Sequence, residues 1–176
     1  MTGYEIERKF LIAMPTDKEK AKCIGSRIVQ TYLLSSEGSE RVRKRVTKDK
    51  TEYTHTRKIT LSPIKRIEEE SVIGEEEYEH LLLRRDKKRR SIDKVRYKFP
   101  YRSHIFEIDV YPFWDDAAVL EVEMSDEKEE IVFPEWIRII REITDDMRFT
   151  NSALALQIPD IEDIIEDIKD NIKHKT

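Results

Sequence analysis

The stretch that decides the fold lies near the start of the chain and runs Tyr4-Glu5-Ile6-Glu7-Arg8-Lys9-Phe10-Leu11. Charged and apolar residues alternate along it with a period of two, which is the period of a β-strand. Glu5, Glu7 and Lys9 would share one face of this strand, and apolar residues would share the other. The stretch therefore predicts a strand with one charged face and one face packed against a core.

The same alternation recurs in seven later segments that are separated by turn-forming residues or helix-forming segments. These segments are residues 27–34, 40–47, 52–61, 66–73, 92–99, 104–111 and 118–124. Helix-forming composition or a helical stripe of isoleucines predicts helices at residues 16–24, 75–85, 126–133, 134–143 and 161–172. The expected fold is α+β, with eight antiparallel strands closed into a barrel, helices packed outside it and a C-terminal helix.

The polar faces of the predicted strands carry ionisable residues in i, i+2 pairs, and each pair has one sign. The acidic pairs are Glu5/Glu7, Glu68/Glu70, Glu107/Asp109 and Glu121/Glu123, and the basic pairs are Arg41/Arg43 and Lys94/Arg96, with Lys9 and Lys58 as single members. Like charges at this spacing lie ~6.6–6.8 Å apart along a strand, so they repel unless an ion compensates them. A face turned to solvent explains one such strand, but it does not explain the segregation of acids and bases by strand.

The chemistry of the compensating ions follows from the side chains. Carboxylate pairs suit a hard divalent cation such as Mg²⁺ or Mn²⁺, and arginine and lysine pairs suit a chain of phosphates. An eight-stranded barrel has an interior just wide enough for inward side chains and one small ligand. The pattern thus favours a polyanion and a metal bound in a shared interior.

Composition excludes several other classes. The chain has 33 Lys+Arg and 37 Asp+Glu in 176 residues, so it lacks the basic excess expected of a nucleic-acid-binding protein. No glycine-rich phosphate loop is present, and the four histidines have no metal-ligand spacing. Cys23 is the only cysteine, and no apolar run approaches ~20 residues. We therefore expect a cytoplasmic protein with no nucleic-acid or membrane partner.

Eight motifs in the same order make the chain resemble the CYTH superfamily, the triphosphate tunnel metalloenzymes. They are ExExK at 5–9, QTYL at 30–33, RxR at 41–43, TxK at 56–58, ExE at 68–70, KxRY at 94–97, FExD at 106–109 and ExE at 121–123. Residues 142–154 are similar to the family's C-terminal segment. The resemblance spans about residues 3–158 and is closest to the small bacterial inorganic triphosphatases.

The resemblance implies a tunnel that holds a triphosphate between basic side chains and a carboxylate-bound Mg²⁺ or Mn²⁺. Its phosphate ligands would be Lys9, Arg41, Arg43, Lys58, Lys94 and Arg96, and its metal ligands would be Glu5, Glu7, Asp109, Glu121 and Glu123. A second metal, or one of Glu5, Glu7, Glu68 and Glu70, would activate water, although Glu68 and Glu70 could instead form salt bridges with the basic residues. Tyr32 would contact a terminal phosphate.

The function expected from these features is metal-dependent hydrolysis of inorganic triphosphate. Three alternatives stay open: a class IV adenylyl cyclase, a hydrolase of nucleoside or thiamine triphosphates, and a non-catalytic polyphosphate or nucleotide sensor. Residues 1–158 would form the tunnel domain, and residues 159–176 an amphipathic helical appendage. Its isoleucine stripe would pack on the parent domain or, alternatively, pair two subunits as a homodimer.

Overall fold

The computed structural model describes residues 6–36, 38–62, 65–126 and 128–162, with the backbone alone described at 59–62 and 65–68. The described residues fall into two compact units. The first unit comprises those within 1–25, 96–150 and 158–176, and the second comprises 26–95 and 151–157. Within the described ranges, no helix has the length and apolar character needed to cross a membrane.

Nine strands and a few short helices account for most of the described chain. The strands are β1 (Ile6–Ala13), β2 (Ile24–Leu33), β3 (Ser39–Val46), β4 (Thr51–Ser62), β5 (Lys65–Ile73), β6 (Ile92–Tyr101), β7 (His104–Val110), β8 (Ala117–Met124) and β9 (Ile139–Glu142). The α-helices are α1 (Asp17–Lys20), α2 (Glu75–Leu82) and α3 (Asn151–Leu154), and a 3₁₀ helix spans Met147–Phe149. The predicted α+β class, a mostly antiparallel sheet with few helices, is confirmed.

In the first unit, the apolar faces of the strands form the core. Phe10 of β1, Phe106 and Ile108 of β7, and Leu120 and Val122 of β8 are all at most 3% exposed. Their neighbours along each strand belong to the opposite, charged face, because successive side chains of a strand point to opposite sides. The alternation in the sequence therefore separates the core from the charged face.

The second unit has a smaller core beneath α2. Leu33, Val42, Tyr53 and Tyr78 are buried together, and the rings of Tyr53 and Tyr78 lie 4.9 Å apart. The residues of β3 on either side of Val42 belong to the other face of the sheet. Helix α2 thus covers one face and leaves the other to the basic residues.

The prediction of a closed, eight-stranded barrel is wrong, because the hydrogen bonds between the described strands do not close the sheet. The strand order is β5-β4-β3-β2-β6-β7-β8-β1-β9, which has nine members and two ends. The ninth strand lies within residues 134–143, where a helix was expected. Phe10, Leu11 and Ile12 of β1 are buried, and β8 satisfies only one edge of this strand, so β9 pairs with the other edge. The need to pair the buried backbone of β1 therefore outweighs the helix propensity of residues 134–143.

Part of the C-terminal prediction falls outside the described residues. Residues 163–176, which contain most of the isoleucine stripe, are not among them, whereas Ile161 is buried at 9% exposure. The division at 158/159 and the pairing of two subunits stay predictions.

Candidate active site

The charged face of the first unit brings together acidic residues from three strands. Antiparallel pairing sets Glu7 opposite Glu123 and Lys9 opposite Glu121 between β1 and β8, and it sets Glu107 opposite Glu121 between β7 and β8. Residues directly opposite each other in an antiparallel pair share a face. Glu7, Glu107, Glu121 and Glu123, which are members of three predicted acidic pairs, thus share one charged surface.

Lys9 lies within this surface as a bridge between two carboxylates. Its Nζ is 3.0 Å from Glu7 and 3.1 Å from Glu121. Burial alone would lower the pKa of Lys9, but the charges of Glu121 and Glu7 outweigh it and raise the pKa. The backbone N–H of Lys9 donates to Thr144, and its carbonyl accepts from Ile143. The segment after β9 therefore holds Lys9 in place.

Arg96 is surrounded by acidic side chains. Both oxygens of Asp109 accept from it at 2.7 Å, Glu121 accepts at 2.6 Å, and Glu107 accepts from Nη1. Burial alone would lower the pKa of Arg96, but the hydrogen bonds and charge of Asp109 raise it. These contacts engage four of the five N–H donors of the guanidinium. Arg96 therefore joins the carboxylates of the acidic face. Only one of its five N–H donors is left for the predicted contact with phosphate.

The carboxylates of this face suit a divalent cation in chemistry, because Mg²⁺ and Mn²⁺ prefer hard oxygen ligands. In the described part of the chain, however, no group of three or more His, Cys, Asp or Glu residues is arranged to hold a metal. Lys9 and Arg96 already occupy oxygens of Glu7, Asp109 and Glu121. Glu123 is exposed, and Glu5 lies outside the described residues. The metal assignment thus stays a prediction.

The second unit carries the basic side chains in rows that run across neighbouring strands. Cross-strand partners form the rows Tyr32–Arg41–Thr56–Glu70, Gln30–Arg43–Thr54 and Ser39–Lys58–Glu68. The predicted arginine pair, Lys58 and the tyrosine therefore belong to one face of the sheet. For Glu68 only the backbone is described, and its registry partner is Lys58.

Side-chain contacts order this face. Thr56 donates to Glu70 at 2.8 Å, which orients one of the predicted water-activating carboxylates. Tyr32 is buried, and the guanidinium carbon of Arg89 lies 5.2 Å from the centre of its ring. Burial raises the pKa of Tyr32, although nearby Arg41, Gln30 and Arg89 oppose this effect. Its hydroxyl thus stays protonated at neutral pH.

Lys94 is a buried lysine of β6, 4% exposed, in the second unit.

Three contributors were missing from the predicted site: Gln30, Arg89 and Glu107. Gln30 and Glu107 were visible as parts of the QTYL motif and of an acidic pair. Arg89 lies in a run of basic residues whose sequence contains no sign of its contact with Tyr32. Its role depends on the fold of the connection between α2 and β6.

Acid stability provides a test of the segment that holds Lys9. Asp146 contacts Arg148 at 2.7 Å and Arg141 at 2.5 Å. The hydrogen bond from Arg148 is the main cause that lowers the pKa of Asp146, from 3.8 to about 2. A lowered carboxyl pKa stabilises the fold above the unfolded-state pKa, and this stabilisation is lost as the pH falls toward the folded-state pKa.

We expect Asp146→Asn to lower the free energy of unfolding by about 2 kcal/mol at pH 7, and the difference from the parent to shrink between about pH 5 and pH 2. Urea unfolding at a series of pH values measures it. Asp145→Asn, at the exposed neighbouring position, should keep the acid sensitivity of the parent. A difference between Asp146→Asn and the parent that does not change with pH would contradict the prediction.

Comparison with known proteins decides the family. No protein-family model matches the chain. An inorganic triphosphatase of Acetivibrio thermocellus is 35% identical over 154 residues, which cover 87% of this chain and 94% of that protein. The chain belongs to the CYTH family of inorganic triphosphatases.

A second relative supports this CYTH assignment. An inorganic triphosphatase of Nitrosomonas europaea is 34% identical over 160 residues, covering 88% of this chain and 99% of that protein. The crystal structure of the inorganic triphosphatase NE1496 matches the CYTH-family chain with a TM-score of 0.60 and 31% identity, over 90% of this chain and 99% of that one. The predicted resemblance to small bacterial triphosphatases is confirmed.

Proposed function

We propose that this chain is a divalent-metal-dependent triphosphatase that hydrolyses inorganic triphosphate. The observation that carries the proposal is the basic face of the second unit, where Arg41 and Arg43 lie in adjacent rows with Tyr32, Lys58 and Glu70. Guanidinium groups bind phosphate oxygens in a bidentate manner, and lysine adds a point charge. The relatives that bear the name inorganic triphosphatase support the same substrate.

Catalysis in this proposal is mainly electrostatic. Arg41, Arg43, Lys58 and Lys94 neutralise the negative charge of the phosphate chain and hold it for in-line attack. Lys9 contributes a further positive charge on the acidic face. Glu5, Glu7, Glu68 or Glu70 accepts the proton of the attacking water; Thr56 holds Glu70 in a fixed orientation for this role.

A divalent cation, Mg²⁺ or Mn²⁺, would be held by Glu5, Glu7, Glu121 and Glu123. When bound, such a cation neutralises and polarises phosphoryl oxygens. Both oxygens of Asp109 accept from Arg96, and those of Glu121 contact Lys9 and Arg96, so either carboxylate ligates the cation only if a basic partner releases one of its oxygens. The cytoplasmic location and the absence of nucleic-acid and membrane partners belong to the same proposal, which draws them from the family resemblance and the composition.

A phosphate-release assay tests the proposal. The purified protein is incubated with tripolyphosphate, pyrophosphate, ATP or thiamine triphosphate, each with Mg²⁺, Mn²⁺ or EDTA. We expect the fastest turnover with tripolyphosphate, its loss in EDTA and no cyclic AMP from ATP. Formation of cyclic AMP would instead identify a cyclase, and metal-dependent binding without turnover would identify a sensor. Faster hydrolysis of ATP or thiamine triphosphate would identify that compound as the substrate and leave the proposed hydrolytic chemistry unchanged.

A further inference from the structure

Gln30 is a buried polar side chain in the second unit that the proposed reaction does not yet use. It is 0% exposed and lies in β2, opposite Arg43 of β3. Its Oε1 accepts from Nη2 of Arg43 at 3.2 Å, and its Nε2 donates to the hydroxyl of Tyr32 at 2.8 Å. A buried amide is costly unless both of its ends have partners. Gln30 meets this requirement by joining an arginine to a tyrosine.

The direction of each hydrogen bond in this group follows from the chemistry of the donors. A guanidinium only donates, so the oxygen of Gln30 must face Arg43, and its NH₂ group must face Tyr32. The amide nitrogen also only donates, so the Tyr32 oxygen accepts. Arg41, the cross-strand partner of Tyr32, brings a positive charge near the hydroxyl. The oxygen therefore faces a donor in Gln30, and the hydroxyl proton must be directed to an acceptor elsewhere.

The ring of Tyr32 is also held, so the hydroxyl has a set position. Arg89 lies over the ring, and its own guanidinium contacts Asp86 at 3.3 Å and the Ser152 hydroxyl at 2.7 Å. All of these residues belong to the second unit. An anionic oxygen placed beside the arginines of β3 would meet a hydroxyl that offers its proton.

We propose that Gln30 is a positioning residue that commits the Tyr32 hydroxyl to donating its proton to an anionic oxygen of the bound substrate. The inference rests on the proposed function only in taking that oxygen to be a phosphate oxygen. Without the NH₂ group, the hydroxyl is free to turn its proton toward residue 30. The substrate then loses a donor even though Tyr32 and both arginines are still present.

Gln30→Glu is the sharpest variant, because it keeps the shape and the oxygen that faces Arg43 but replaces the donor to Tyr32 with an acceptor. We expect kcat/KM for tripolyphosphate to fall at least ten-fold. In a Tyr32→Phe background, Gln30→Glu should lower kcat/KM by less than about three-fold, because the hydroxyl on which it acts is absent. Equal losses in the two backgrounds would overturn the proposal, since they would reflect the added charge or the contact with Arg43.

A second readout does not depend on turnover. In Gln30→Met, loss of the donated hydrogen bond should raise the pKa of Tyr32 in the ligand-free protein, followed by NMR of ¹³C-labelled tyrosine and assigned with Tyr32→Phe. An unchanged titration would overturn the link between the two residues. If the titration shifts but the parent does not hydrolyse tripolyphosphate, the proposed function fails and the positioning of Tyr32 stands.

Thr31→Val serves as the matched control. Thr31 is a buried neighbour on the other face of β2, and its hydroxyl shares a hydrogen bond with Ser91 at 2.8 Å. The control removes a buried hydrogen bond from the same strand without touching Tyr32. It should lower the thermal midpoint, leave the Tyr32 titration unchanged and keep kcat/KM within two-fold of the parent. A loss as large as that of Gln30→Glu would assign the effect to the strand and not to the hydroxyl.

Discussion

Arg41→Ala is expected to lower kcat/KM for tripolyphosphate by roughly 30- to 1000-fold, which corresponds to about 2–4 kcal/mol of transition-state stabilisation. Arg41 is placed between Tyr32 of β2 and Thr56 of β4 by the register of three strands. The strand pairing therefore fixes the face and the row from which its side chain leaves the sheet before substrate arrives. Preorganised donors of this kind stabilise developing charge more strongly than mobile ones.

Two further variants separate the role of Arg41 from the effect of total charge. Arg57→Ala removes an exposed arginine from the opposite face of β4 and should leave kcat/KM within two-fold of the parent. Arg41→Lys keeps the charge but lacks the bidentate fork, so it should recover only part of the loss. Rates are measured as phosphate release at low substrate concentration. If Arg41→Ala were as fast as the parent, Arg41 would have no part in binding phosphate.

Arg96→Met is expected to lower the free energy of unfolding by about 3–5 kcal/mol, because it leaves a buried carboxylate without its compensating charge. Asp109 is 0% exposed, and both of its oxygens accept from Arg96. Glu107 and Glu121 lose the same partner. Urea unfolding at pH 7 measures the change.

Removing both charges distinguishes this cause from a general loss of packing. Arg96→Met combined with Asp109→Leu should recover much of the stability, because an apolar pair of similar volume can replace a buried ion pair at little cost. Lys98→Ala is the control. Lys98 contacts Glu107 at 2.9 Å but is 46% exposed, so its loss should cost no more than about 1 kcal/mol. An Arg96→Met protein within 1 kcal/mol of the parent would exclude the proposed role of the pair.

The strands could be predicted from the sequence because alternation is a local property. Residues 118–124 were predicted and Ala117–Met124 is observed, and residues 104–111 correspond to His104–Val110. The strand β9 was missed because its residues form a strand only when the unpaired edge of β1 is beside them. Because β9 occupies this edge of β1, the sheet has a strand order with two ends in place of the expected closed barrel.

In the candidate site, too, residue spacing predicted some features and missed others. The placement of Arg41 and Arg43 on one face followed from their spacing, and so did that of Glu121 and Glu123. The interpretation of Arg96 as a phosphate ligand did not anticipate its four hydrogen bonds to carboxylates, because those partners come from two other strands. Gln30 gave no chemical signal of its own until the register placed it opposite Arg43.

The amino-acid order alone determined which side chains share a face of each strand and, through the ordered motifs, which family the chain resembles. Tertiary structure decided which of those side chains touch. Burial made the partners obligatory: Gln30, Asp109 and the backbone of β1 are removed from water, and each must find a donor, an acceptor or a counter-charge among residues far away in sequence. The spacing of residues within one strand carries no information about that choice.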